Sequence, residues 1–255
     1  MILKDKVAIV TGGGSGIGQA TSLCLAKEGA TLAVGDVVLD SAMETALEIL
    51  KAGGRAIYGR LDVSDASSVN SFVDRVFHEY PKVDILVNNA GGMFSATNVL
   101  DCTESDWDRT FALNVKGVFL MSRAVLPWML RNKSGSIINV SSAAALVGRK
   151  NMAAYSATKG AIIALTRAMA HDHGADGIRI NCVCPGPTVT PAFLRTLAAT
   201  TSDPEAERRS REKDQPLGRL GEPVDIAESI VFLASNKASW ITGIVLPIDG
   251  GNTAI

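Results

Sequence analysis

"KVAIVTGGGSGIG", residues 6–18, is the stretch that decides the fold. It opens with "KVAIVT" (6–11), a short run of apolar, β-branched character, which reads as a strand. Gly12, Gly16 and Gly18 follow, and a helical pattern runs from about Gly16 to Glu28. Glycines between a strand and a helix let the turn take unusual backbone angles and let an anion approach the main chain. The helix start then offers free N–H groups and the positive end of its dipole. A glycine cluster alone is only a tight turn; with these flanks it reads as a cradle for a pyrophosphate.

The second strand, "TLAVGD" (31–36), ends in Asp36, 18 residues after Gly18. A carboxylate there accepts both ribose hydroxyls of an adenosine and repels a 2′-phosphate. The basic residue that would welcome such a phosphate is missing, since Ser15 and Val37 occupy the neighbouring positions. NAD is therefore expected over NADP. The competing reading of Asp36 is a carboxylate that merely caps a loop.

Outward from these two units the same alternation continues. "RAIYGRLDV" (55–63) precedes a helix near Ala66–Glu79. "VDILVNNA" (83–90) leads to a long helix within Glu104–Leu130, with Thr103 and Asp106 as a capping pair. "GSIINVSS" (135–142) leads to "AAYSATKGAIIALTRAMA" (153–170), and "IRINCVC" (178–184) to a long polar loop. A last helix near Val224–Ser235 precedes "GIVLPID". Strands alternating with helices predict an α/β fold with a parallel sheet covered on both faces. "TTSDPEAERRSREKDQ" (200–215) is the one compositional break. It reads either as a solvated surface segment or, within 191–216, as a mobile lid.

The 255 residues, 47% of them hydrophobic, suffice for one core and a single domain over 1–255. A net charge of −1 carries no basic excess for nucleic acid. No apolar run reaches the roughly 18–20 residues that cross a bilayer. "MILKDKVAIV" has charges where a signal peptide needs its apolar core, so a cytoplasmic protein is expected. Cys24, Cys102, Cys182 and Cys184 fit neither a disulfide framework nor a zinc motif and read as buried free thiols. His171 and His173 stand at i and i+2, which face apart on a helix; no metal site is expected.

Tyr155 and Lys159 stand at i and i+4, one above the other on a helix. A phenol, with a free pKa of about 10, is a poor base near neutrality unless a cation stabilises the phenolate. Spacing alone leaves two readings, a catalytic pair or an ordinary surface pair.

Seven ordered motifs give the chain a strong resemblance to the short-chain dehydrogenase/reductase family, in its single-domain branch. They are "TGGGSGIG" (11–18), "LDVSD" (61–65), "NNAG" (88–91), "LNVKG" (113–117), "INVSS" (138–142), "YSATK" (155–159) and "PGPTVT" (185–190). The resemblance covers the whole chain. It implies a Rossmann-type, doubly wound, mainly parallel sheet of seven strands. It implies catalytic roles for Asn114, Ser142, Tyr155 and Lys159, with Ser142 preferred to Ser141 by its spacing to the tyrosine. It places Gly12, Ser15, Gly16, Ile17 and Gly18 at the pyrophosphate, Asp36 at the ribose, and Asp62 and Val63 at the adenine. Of the strand end Asn88–Gly91 it sets Asn89, Ala90 and Gly91 beside the cofactor, with Pro185, Gly186, Thr188 and Thr190 closing over the nicotinamide. Family members often have an aliphatic residue where Thr188 stands, which leaves open which threonine faces the carboxamide.

In alcohol oxidation Tyr155 would take the hydroxyl proton as hydride leaves for NAD, and in reduction it would return it. Lys159 would also hold the nicotinamide ribose, and Ser142 would orient the substrate oxygen. Arg149 and Lys150, between Ser142 and Tyr155, and Arg195 read as exposed cations or as a site for an anionic substrate. The apolar helices within 104–130 and 152–172 have more apolar surface than one sheet face covers, and the resemblance implies a homotetramer. Three functions compete: an NAD-dependent alcohol/carbonyl oxidoreductase, a non-catalytic NAD(H) sensor or scaffold, and a 3-oxoacyl thioester reductase. The identity of the alcohol or ketone lies beyond the fold.

Overall fold

The computed structural model describes residues 1–254, with side chains other than those of residues 199 and 200. Among them seven strands pair in one sheet: β1 (Val7–Thr11), β2 (Thr31–Asp36), β3 (Arg55–Arg60), β4 (Ile85–Asn88), β5 (Gly135–Val140), β6 (Ile178–Pro185) and β7 (Val245–Ile248). Their order is β3-β2-β1-β4-β5-β6-β7, and every pairing is parallel. Ile9 of β1 registers with Ala33 on one side and Leu86 on the other. From β1 the chain winds outward to β3, then crosses back to β4 on the far side of β1. That reversal opens a crevice at the carboxyl ends of β1 and β4.

Nine α-helices accompany the sheet among the described residues: α1 (Gly16–Lys27), α2 (Leu39–Lys51), α3 (Ala66–Glu79), α4 (Glu104–Phe111), α5 (Gly117–Asn132), α6 (Ala153–His173), α7 (Pro191–Thr200), α8 (Pro204–Lys213) and α9 (Pro223–Ala234). Strand side chains alternate between faces. Val10, Leu32 and Val34 pack under α1, α2 and α9, against Leu25, Ala42, Ile49 and Ile230. Ile9, Ala33 and Leu86 face α3, α5 and α6, against Phe72, Val76, Met121, Met129 and Met169. Each fully buried aliphatic side chain contributes about 1.5–3 kcal/mol relative to exposure. The described helices include none long and apolar enough to cross a membrane.

Several sequence expectations change. The long helix of 104–130 is interrupted by a π-turn at Ala112–Lys116, because Asn114 within it turns its amide to backbone and side-chain partners across the crevice. Thr103 caps α4 as expected, accepting from the Asp106 N–H at 3.0 Å, but the Asp106 carboxylate turns to Arg109 at 3.8 Å. The polar loop after β6 is also not a loop: it holds α7 and α8. Thr190 and Asp203 cap them, and each has proline in its first turn, where the missing N–H costs nothing. Ion pairs at i,i+4, Arg208–Glu212 and Arg211–Glu207, support the charged α8. The stretches 55–63 and 83–90 stop as strands at Arg60 and Asn88. Beyond β4 the Asn89 N–H leaves the ladder for the Thr11 hydroxyl, at 3.1 Å.

Candidate active site

At the carboxyl end of β1 the turn reverses through Gly12 and Gly16, both left-handed at φ +60 and +54. A Cβ on Gly18 would overlap the Gly12 carbonyl oxygen, so only glycine lets α1 start this close to the turn. Ser15 is the N-cap of α1 but makes no side-chain capping bond, and the first turn carries no acidic residue. Its N–H groups face outward with the dipole's positive end, a donor set that suits a pyrophosphate. Thr11, missed in the sequence, anchors this turn to β4: its Oγ1 accepts from the Asn89 and Ala90 N–H groups, at 3.1 and 3.0 Å. The Asn89 amide donates to the Thr11 and Gly12 carbonyls, both at 3.0 Å, so its side chain holds the turn itself. Asn88 turns inward, donating to Ser122 and Asn139, away from the crevice.

Asp36 ends β2 beside this turn. Its Oδ2 accepts from Gly14 N–H and its Oδ1 from Val38 N–H, each at 3.0 Å. Asp36 thus caps its loop, and each oxygen keeps a lone pair for a ribose hydroxyl. Asp62 Oδ1 accepts from the Ser64 N–H and hydroxyl, at 3.0 and 2.6 Å; among the described residues none donates to its other oxygen. Val63 is buried against Gly117 at the head of α5.

The four residues expected to carry chemistry gather at the ends of β4 and β5. Asn114 is fully buried: its Oδ1 accepts from Gly92 N–H at 2.9 Å, and its Nδ2 donates to the Gly92 carbonyl and the Thr158 hydroxyl, at 2.9 and 3.0 Å. Thr158, also unforeseen, donates in turn to the Tyr155 carbonyl at 2.7 Å. Lys159 is buried; its Nζ donates to the Val140 carbonyl at 2.9 Å and lies 5.6 Å from the Tyr155 ring centre. A side chain on Gly91 would start 3.0 Å from Asn114 Oδ1 and 3.2 Å from Lys159 Nζ, so glycine keeps this corner open. Ser142 is half-buried, and its Oγ accepts from Ala144 N–H at 3.1 Å, leaving its own proton to donate. Ser141 is buried and its hydroxyl bonds the Lys159 carbonyl at 2.8 Å, a scaffold contact.

The segment after β6 closes the crevice. Thr188 is buried with its hydroxyl on the Gly186 carbonyl, whereas Thr190 packs its methyl against the Gly16 position. The stems of the α7–α8 segment are joined, Val189 N–H to the Gly221 carbonyl at 2.8 Å and Gly221 N–H to the Pro187 carbonyl at 2.9 Å. Pro185 ends β6, and Gly186 packs against Asp249 of the C-terminal turn.

The other tempting residues divide. The Arg149 guanidinium donates to Asn252 Oδ1, tying the loop after β5 to that turn; Lys150 and Arg195 are exposed. His173 pairs with Asp176 at 3.9 Å, and the described residues hold no cluster of metal-ligating side chains. Cys182 and Cys184 are buried, while Cys24 and Cys102 are only half-buried, which corrects the expectation for those two. Its hydrogen bond to Cys184, reinforced by burial, pushes the Cys182 thiol far above the ordinary range and keeps it protonated.

A family model described as enoyl-(acyl carrier protein) reductase matches residues 12–253. The 2-(S)-hydroxypropyl-CoM dehydrogenase 3 of Xanthobacter autotrophicus is 41% identical, over 99% of this chain and 98% of its own. The 3-oxoacyl-[acyl-carrier-protein] reductase FabG of Thermotoga maritima is 38% identical, over 98% and 99%. The solved 7 alpha-hydroxysteroid dehydrogenase, in complex with NADH and 7-oxo glycochenodeoxycholic acid, superposes with a TM-score of 0.91 at 36% identity, covering 98% of this chain and 94% of that one.

Proposed function

The chain belongs to the short-chain dehydrogenase/reductase family, and we propose that it interconverts a secondary alcohol and a ketone with NAD as hydride carrier. One observation carries the reading. Asn114, Tyr155 and Lys159 share one corner at the carboxyl ends of β4 and β5, with Ser142 two residues beyond the Val140 carbonyl that holds Lys159, and the glycine turn and Asp36 follow β1 and β2 on the same side of the sheet. When bound, the nicotinamide takes or returns a hydride. Tyr155 moves the matching proton at its phenolic oxygen, accepting it from an alcohol or giving it to a ketone. Lys159 has three donors and spends one on Val140, which leaves two for the phenolate and a ribose. The Ser142 proton fixes the substrate oxygen. Asn114 holds Gly92 and, through Thr158, the head of α6, so it positions Tyr155. The cradle's glycines and uncapped N–H groups fit a dinucleotide pyrophosphate, and Asp36 fits a ribose with both hydroxyls free.

The test is a panel of secondary alcohols and ketones supplied with each nicotinamide cofactor. Turnover with at least one member is expected, with at least roughly tenfold higher efficiency for NAD, since Asp36 meets a 2′-phosphate with like charge. Equal efficiency would defeat the cofactor reading. NADH binding without any turnover would favour a sensor. The second reading, a 3-oxoacyl thioester reductase, has the Thermotoga relative in its favour and Asp36 against it. An acyl thioester in the panel separates the two.

For assembly we propose a homotetramer. Trp107 stacks on Phe111 at 4.8 Å, and Trp107 and Phe119 stay exposed along α4 and α5. Ala157, Ala164 and Ala168 form an exposed small-residue stripe on α6. Trp240, 99% exposed before β7, supports a second contact.

A further inference from the structure

We propose that Arg60 is a second determinant of cofactor choice: a guanidinium placed for the 2′-phosphate of a phosphorylated dinucleotide and opposed in the native chain by Asp36. The proposal rests on the NAD reading above, and it starts from register. Asp36 and Arg60 are the last Cα partners of the β2–β3 pair. Partners in parallel strands present their side chains to the same face. Which face is fixed two residues earlier, where Val34 and Tyr58 are partners and both belong to the core under α1 and α2. Ala33 and Ile57 belong to the opposite core. Arg60 therefore rises on Asp36's side of the sheet, one strand spacing of about 4.8 Å away. Positions 15 and 37 hold Ser15 and Val37, with no cation; the sheet brings one in from position 60.

Arg60 is also unengaged. It is exposed, and among the described residues its guanidinium has no hydrogen bond and no ion pair. Asp36 does not hold it, because both carboxylate oxygens point to the N–H groups of Gly14 and Val38. The Arg75 guanidinium lies beside Gly59, on the opposite face. Asp40 stands in the first turn of α2, and Asp62 follows Arg60 two residues on, its Oδ1 on Ser64. A guanidinium is a planar fork of five donors that matches a phosphate in two bonds. In the native chain the Asp36 carboxylate, fixed by Gly14 and Val38 with a lone pair left on each oxygen, would decide for the unphosphorylated cofactor. Arg60 narrows that margin.

Calorimetric titration with adenosine 2′,5′-bisphosphate and adenosine 5′-monophosphate tests this without any substrate. Arg60→Ala should weaken the bisphosphate at least about threefold and leave the monophosphate unchanged. Asp36→Ala should strengthen the bisphosphate at least about tenfold, and adding Arg60→Ala should remove most of that gain. Arg60→Lys in the Asp36→Ala background should keep part of the gain, and high salt should shrink it. Equal bisphosphate affinity in Asp36→Ala and the double variant would overturn the proposal. So would an Arg60→Ala effect of the same size on both nucleotides. A native chain that prefers the bisphosphate, and loses it on Arg60→Ala, would support Arg60 and overturn the NAD reading. Binding of neither nucleotide would overturn both.

Discussion

Thr158 shows how much of the candidate site depends on a residue without chemistry of its own. Its hydroxyl is fully buried, donating to the Tyr155 carbonyl while accepting from Asn114 Nδ2. Replacing it by valine keeps the shape and strands one donor of a fully buried amide. We expect Thr158→Val to cost about 1–3 kcal/mol. At about 2–4 °C per kcal/mol for a chain of this size, that is a clear drop in the melting temperature. An unchanged melting temperature would show that Asn114 finds another acceptor. The sequence made the motif residues legible because their spacing to one another is short and ordered. It hid Thr11 and Thr158, whose bonds to Asn89 and Asn114 span 78 and 44 residues and leave no local pattern. It also hid that Arg149 is held by Asn252, 103 residues on.

At the scale of elements, periodicity served where one face is buried. β2 and α3 have the bounds expected of them, Thr31–Asp36 and Ala66–Glu79. The π-turn did not show, because one extra residue leaves the apolar period nearly intact. α7 and α8 did not show because their charged surface masks the helix, although Thr190-Pro191 and Asp203-Pro204 are start signals. α9 makes a pH prediction. Arg219 grips the Asp225 carboxylate with two bonds, at 2.7 and 2.9 Å, while Glu222 N–H donates to it at 2.7 Å. The Arg219 hydrogen bond holds the Asp225 carboxyl below its ordinary 3.8. A lowered folded-state value means stability that is complete above 3.8 and lost as pH falls below it towards the folded value. Both groups are partly exposed, so the contribution is small. Asp225→Asn should therefore melt lower than the native chain near neutrality, and the gap should close below about pH 4. A gap that persists in acid would contradict the pairing.

For the whole molecule, parallel topology explains why distant motifs meet. Six of the seven end strands or start helices at the carboxyl edge, where the order reverses between β1 and β4, and the π-turn brings Asn114 of the seventh to Gly92 beyond β4. That much was legible from alternation alone; the register that sets Arg60 beside Asp36 was not, because pairing is a property of the sheet. The exposed aromatic and small-residue faces predict a mass near 107 kDa by light scattering at micromolar concentration, four times the 26.7 kDa chain. A mass near 27 kDa would refute the tetramer. The chemistry has a more direct test, the Tyr155→Phe variant, assayed with NAD and the best alcohol of the panel while NADH binding is titrated in parallel. The ring and its packing stay, and only the oxygen that moves the proton is removed. Turnover should fall to no more than about one per cent of native, a loss of the size general acid–base catalysis supplies, with NADH affinity essentially retained. A variant that keeps a tenth or more of its turnover would contradict the account.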